Sequence, residues 1–137
     1  MKKKVAASSS ELVSTLKDRV TPERWEKIQA VTSQRLPQMS VVIENIYDRG
    51  NASAVIRSME AFGFYQLHMI ELQEKFKESQ RTTAGAEKWL EISKWKSTKA
   101  CVDELRKQGR KIYVTHLDKN AKPIDEIDVS EPFALCF

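Results

Sequence analysis

The sequence predicts an α/β protein with a mostly parallel sheet and helices on both faces, preceded by a short basic helical extension. Three observations carry this. Apolar runs of strand length occur at Val41–Glu44, Gln66–Leu72, Lys111–Leu117 and Phe133–Phe137. Segments with helical spacing or turn chemistry separate them. Strands alternating with helices favour a parallel sheet whose two faces are both covered.

The elements follow in chain order. Ser8-Ser9-Ser10-Glu11 has capping-box spacing, and Leu12, Leu16 and Val20 follow at helical intervals, predicting a helix near 10–20. Thr21-Pro22-Glu23 starts a second helix: a capping hydroxyl, proline at the first helical position and an acid in the first turn. Trp25, Ile28 and Val31 line one face of it, and it stops before Pro37. Residues 1–40 thus form the basic helical extension, and residues 41–137 the α/β domain. After the Val41–Glu44 strand, a helix opens with Asn51, covers 52–62 and ends at Gly63. Residues 73–88 are polar, with a turn at Thr82–Ala86. Trp89–Trp95 alternates as a short strand, which favours Trp89 as a core residue over a ring that faces a ligand base. Ser97 caps a helix to Gln108 with Cys101, Val102 and Leu105 inward, and Gly109 ends it. Residues 118–132 read as a loop.

Composition narrows the function classes. The 137 residues are 41% hydrophobic and 31% charged, as in one soluble globular domain. The apolar runs are far too short to span a membrane, and Val5–Ser10 is too polar for an export signal, so the predicted compartment is the cytoplasm. Cys101 and Cys136 predict two reduced, buried thiols. No cysteine pair or histidine cluster has the spacing of a metal site. The net charge is +4, and residues 1–40 carry all the excess, with eight basic side chains against four acidic ones. Such an arm suits a polyanion and equally suits a solubilising tail.

The stretch Asn45–Arg57 holds the chemistry. A strand, a polar turn and a helix start place Asn45, Asn51 and Arg57 at the mouth of an α/β unit, where a substrate with an anionic backbone fits. Arginine is a poor general base, but its guanidinium grips phosphate bidentately and stabilises a developing alkoxide. Read alone, Asn51 is better explained as a plain helix cap, and Arg57 as a surface arginine paired with Glu60 or Glu44.

Val41–Asp48 with Asn51–Arg57 resembles the first motif of the SpoU-type (TrmH-like) RNA ribose 2′-O-methyltransferases, which belong to the trefoil-knot (SPOUT) class. Thr21–Arg24 through Arg35–Pro37, Thr83–Trp89, Val114–Leu117 and Ile124–Leu135 are similar to further family segments in the same order. The resemblance implies an incomplete SPOUT-like fold, S-adenosylmethionine as methyl donor, tRNA as substrate and a D-loop guanosine as target. It makes Arg57 and Asn51 catalytic and places Thr115, His116 and Leu117 beside the donor's adenine. It gives Asn45, Arg24, Arg35 and Lys88 to the RNA, and implies a homodimer, no membrane and no metal. Two departures accompany it. Gly50 stands where many tRNA-modifying relatives carry histidine, and the family's second and third motifs would fall after Phe137. With the C-terminal knot missing, the donor pocket would be incomplete and the chain itself catalytically impaired. An RNA-binding module without methyl transfer, or an rRNA methyltransferase of the same family, is the alternative.

Overall fold

The computed structural model describes residues 9–72 and 80–137. The chain divides after Gln34 into two compact units. In the first, α1 spans Ser9–Lys17 and α2 spans Pro22–Ser33. Thr21 caps α2 as its sequence requires, its hydroxyl accepting from the Arg24 amide at 3.3 Å. Trp25, Ile28 and Val31 of α2 are half-buried. The Ser8–Glu11 capping box and Lys2–Lys4 reach outside the described residues, as does part of the polar stretch, 73–79.

The second unit is a five-stranded parallel sheet in the order β3-β2-β1-β5-β4. Its strands are β1 (Met39–Glu44), β2 (Gln66–Ile70), β3 (Glu91–Trp95), β4 (Lys111–Val114) and β5 (Phe133–Cys136). Helix α3 spans Arg49–Ala61, α4 spans Gln80–Thr83 and α5 spans Thr98–Lys107. Side chains alternate across a strand, so β1 and β2 send odd-numbered residues to one face and even-numbered residues to the other. Val41, Ile43, Leu67 and Met69 meet Ala52, Ile56 and Met59 of α3. Val42, Ile70 and Ala134 meet Cys101 and Leu105 of α5. Both faces are therefore covered, which explains why the strands read as apolar runs. The chain order reverses between β1 and β5, and ligands of open α/β sheets bind at such a point, beyond the carboxyl ends of the strands.

Three sequence expectations need correction. The helix after β1 opens at Arg49, and its cap is Asp48, whose carboxylate accepts from the Gly50 amide at 2.6 Å. Asn51 is a first-turn residue and not the cap. An aspartate at the cap satisfies an orphan amide and sits well at the positive end of the helix dipole, so it outcompetes Asn51 three residues later. Trp89 does not begin a strand. It ends a 3₁₀ helix, Ala86–Trp89, and β3 starts at Glu91. The left-handed Gly85 (φ 86°) sets up that turn, and local geometry overrides the alternating pattern. Val41 is inside β1 and not its start, since Met39 and Ser40 already pair with Phe133 and Ala134.

Arg110 holds the amino-terminal edge of the sheet. Its guanidinium donates to the carbonyls of Gln38 (2.8 Å) and Pro37 (3.1 Å) and to Gln66 Oε1 (2.5 Å). His68 is a satisfied interior histidine: Trp95 Nε1 donates to its Nδ1 at 3.1 Å. Cys101 and Cys136 are free thiols. Burial pushes Cys101 up to about 11.

Candidate functional site

Two clefts hold Arg57, Thr115, His116 and Leu117 among the residues that the sequence singled out. The first lies between α3 and the segment preceding β3. Arg57 and Glu60 of α3 form one wall, and Thr83-Ala84-Gly85-Ala86 with Trp89 the other, around about 290 Å³. The second wall is built firmly. Thr83 is fully buried and its hydroxyl donates to Glu87, whose carboxyl is held below the usual range chiefly by that bond. The Ser53 and Thr82 hydroxyls lie 3.0 Å apart and tie the segment to α3. Ala84 (φ 53°) and Gly85 both take left-handed backbone, so a short main-chain wall faces the cleft there.

Arg57 is exposed and, among the described residues, makes no ion pair with Glu60 or Glu44. Glu44 instead accepts from Thr98 Oγ1 at 2.5 Å. A guanidinium left without a partner beside a cleft keeps all its donors for a ligand. Asn51 is exposed but does not line this cleft. Six helical positions separate it from Arg57, about 9 Å along the axis and about 120° around it. The two side chains thus do not converge on one atom.

Asn45 follows β1 with φ 50°, and its amide donates to the Ile70 carbonyl at 2.8 Å. Its side chain is exposed beyond the carboxyl end of the strand. Lys88 is exposed beside Trp89, and Arg24 is exposed on α2. Arg35 differs from expectation: Nη2 is buried with no partner among the described residues, so that end of the guanidinium is not displayed. Gly50 also has a local reason. A Cβ there would approach Asp48 Oδ1 to 3.0 Å and crowd the cap.

The second cleft opens at the carboxyl end of β4. Thr115, His116, Leu117, Lys122, Ile124 and Leu135 line about 770 Å³. Leu117 is 100% exposed and Ile124 65%, an apolar surface without cover among the described residues. Thr115 is anchored to β5 through its amide and hydroxyl, both donating to the Cys136 carbonyl. The amides of His116 and Leu117 have no backbone partner among the described residues. Free amides beside an apolar slot match an adenine ring, which needs a flat apolar contact and donors for its edge nitrogens. The methionine end of S-adenosylmethionine finds only Lys122 as a charged partner in this lining. The residues therefore fit the adenine end of such a donor.

The two clefts share no residue. One stands beside α3 toward the β3 edge, the other at the β4 edge, with β2, β1 and β5 between. Among the described residues, no group of three or more His, Cys, Asp or Glu side chains could hold a metal ion. None of the described helices is long and apolar enough to cross a membrane.

Sequence reasoning missed that Trp89 shares a cleft with Arg57. The signal was the glycine at Gly85, which marks a tight turn where an alternating strand seemed to begin. It also missed Asp48, although an aspartate three residues before Asn51 offered an earlier helix start.

Comparison with known proteins agrees with this architecture. The SpoU rRNA Methylase family model matches residues 38–137. A tRNA (guanosine(18)-2′-O)-methyltransferase of Borreliella burgdorferi is 28% identical over 125 residues, covering 91% of this chain and 57% of the relative. The Escherichia coli (strain K12) protein of the same description is 28% identical over 113 residues, covering 82% and 49%. The chain thus spans about half the length of these relatives. The crystal structure of the A. aeolicus TrmH/SpoU tRNA modifying enzyme superposes with a TM-score of 0.77 at 26% identity, over 83% of this chain and 58% of that one. A match across the whole β1–β5 sheet, with the same fold in a solved relative, places this chain in the SpoU rRNA methylase family.

Proposed function

We propose that the protein is a tRNA ribose 2′-O-methyltransferase, with S-adenosylmethionine as donor and a guanosine of the D-loop as target. The observation that carries this is the unpaired Arg57 at a cleft of nucleoside size, on a chain whose similar proteins are described as tRNA (guanosine(18)-2′-O)-methyltransferases. Arg57 binds the phosphate beside the target ribose and steadies negative charge growing on its 2′-oxygen. Asn51, on another side of α3, contacts the neighbouring backbone and orients the strand. Asn45, Lys88, Arg24 and the accessible part of Arg35 hold more distant phosphates. Thr115, His116 and Leu117 hold the adenine end of the donor. When bound, S-adenosylmethionine supplies an electrophilic methyl group on a sulfonium.

The separation of the two clefts supports a homodimer. A ribose held at Arg57 of one chain cannot meet a donor held at Leu117 of the same chain without crossing the sheet. A second copy resolves this by supplying one of the two clefts. RNA modification of this kind belongs in the cytoplasm. The division of residues into a basic RNA-binding arm and a methyltransferase body is part of the same reading.

Calorimetric titration with S-adenosylmethionine and methyl transfer to unmodified tRNA test the proposal. Donor binding with transfer to a guanosine 2′-oxygen would support the proposal and overturn the expected impairment of this chain by itself; transfer to rRNA alone would move the substrate within the same chemistry. RNA binding without donor binding would favour the second reading, an RNA-binding module without transfer. Absence of RNA binding would defeat both.

A further inference from the structure

Trp89 closes a 3₁₀ helix that packs against α3, yet its ring lies outside both core clusters. Ala86 and Leu90, its neighbours, pack against the α3 side of the core, whereas Trp89 belongs to neither core cluster. Among the described residues it stacks on no other ring, and its indole N–H has no partner. It is half-buried in the cleft that Arg57 lines. A large aromatic held at a cleft wall, with a free donor and one open side, is a platform for another flat ring.

The surroundings fit a nucleobase. The wall is pre-formed: Lys88 N donates to the Gly85 carbonyl at 3.2 Å and Glu91 N to the Tyr65 carbonyl at 2.7 Å, fixing the turn on both sides of Trp89. Nothing lies within 4 Å of a Cβ placed on Gly85, so the space before that wall is open. The cleft of about 290 Å³ lies at the lower bound of small-molecule sites, room for one nucleoside and not for a stacked run. Arg57, on the facing wall, is the cation that the attached phosphate needs.

We propose that Trp89 is the stacking platform for the base of the target nucleotide, swung out of its RNA, while Arg57 takes the ribose-phosphate attached to it. This rests on the reading that the Arg57 cleft receives RNA. A nucleotide inside a folded RNA must leave its stack before its ribose can be presented, and the indole replaces the lost neighbour. Stacking tolerates every base, so Trp89 contributes affinity and positioning.

The test labels the protein with 5-fluorotryptophan, which gives signals for Trp25, Trp89 and Trp95. The signal that disappears in Trp89→Phe belongs to Trp89. An unmodified tRNA transcript shifts that signal, and the same transcript made abasic at the D-loop guanosine does not. In parallel, Trp89→Ala weakens tRNA binding roughly 5- to 100-fold, and Trp89→Phe stays within about twofold. The fluorine measurement stands even if Trp89→Ala folds poorly. Binding that Arg57→Ala weakens while the Trp89 signal stays still would overturn this inference and leave the reading of Arg57 in place. An equal shift with the abasic transcript also overturns it. Absence of any RNA binding overturns both.

Discussion

Replacing Arg110 with alanine should destabilise the second unit by about 3 kcal/mol. The figure follows from its bonds. The donation to Gln66 Oε1 at 2.5 Å is partly buried, and a hydrogen bond from a charged group is worth about 1.5–3 kcal/mol. The donations to Gln38 and Pro37 are exposed and add a fraction each, because water replaces them. The Gln38 carbonyl keeps the Phe133 amide at 2.8 Å, so it is not orphaned. Gln66 Oε1 keeps only the Ser40 hydroxyl at 3.2 Å. Partial burial also draws the Arg110 pKa below the ordinary arginine value, so the site bears a desolvation cost that its partners offset. Urea and thermal denaturation of Arg110→Ala and Arg110→Lys measure the effect. Alanine should lower Tm by roughly 10 °C, and lysine, which keeps one bond at a time, by about half that. A loss under about 1 kcal/mol for alanine would refute the view that this guanidinium ties the segment before β1 to β2.

Three further predictions concern local features. Asp48→Ala should cost about 1 kcal/mol in thermal melts followed by circular dichroism, and Asn51→Ala under about 0.5 kcal/mol, because Asp48 is the cap. The reverse ranking would restore Asn51 as the helix start. His68 has its pKa lowered, first by burial and then by Arg110, while Glu91 and Glu104 oppose the shift. Its neutral form is therefore favoured in the folded state, so its contribution to stability is full above about pH 6.5 and declines below that toward its depressed pKa. Between pH 7 and 5.5 the protein should lose stability that His68→Gln does not lose, and parallel curves would disprove this. Cys101, fully buried with its thiol at about 11, should react with a thiol reagent only on unfolding; rapid labelling of the native protein would contradict the packing of α5.

The strands were legible because a sheet covered on both faces writes apolar runs. Val41–Ile43 and Phe133–Leu135 need no alternation when α3 and α5 pack on opposite sides. Helix ends with a single candidate were also legible: Thr21-Pro22, Ser97 and Gly63 each stand where capping chemistry demands. Where two polar residues compete for a cap, as Asp48 and Asn51 do, spacing alone does not decide. The Arg57 cleft was half legible. Arg57 follows from the motif, but its facing wall depends on a left-handed pair at Ala84-Gly85 that turns Trp89 out of strand register. Arg110 was invisible, since Gln66, Gln38 and Pro37 lie 44 to 73 residues away and two of these bonds go to main-chain carbonyls that no pattern records.

RNA enters the cleft at Arg57 on this reading, and the salt dependence of tRNA binding tests it most directly. Wild-type protein and Arg57→Ala are titrated with one unmodified tRNA across a range of salt concentrations. Arg57 is exposed and unpaired, so the variant should melt as the wild type does, bind about tenfold more weakly, and show a log K against log salt slope reduced by about one. Equal affinity and equal slope would place the RNA elsewhere and contradict it.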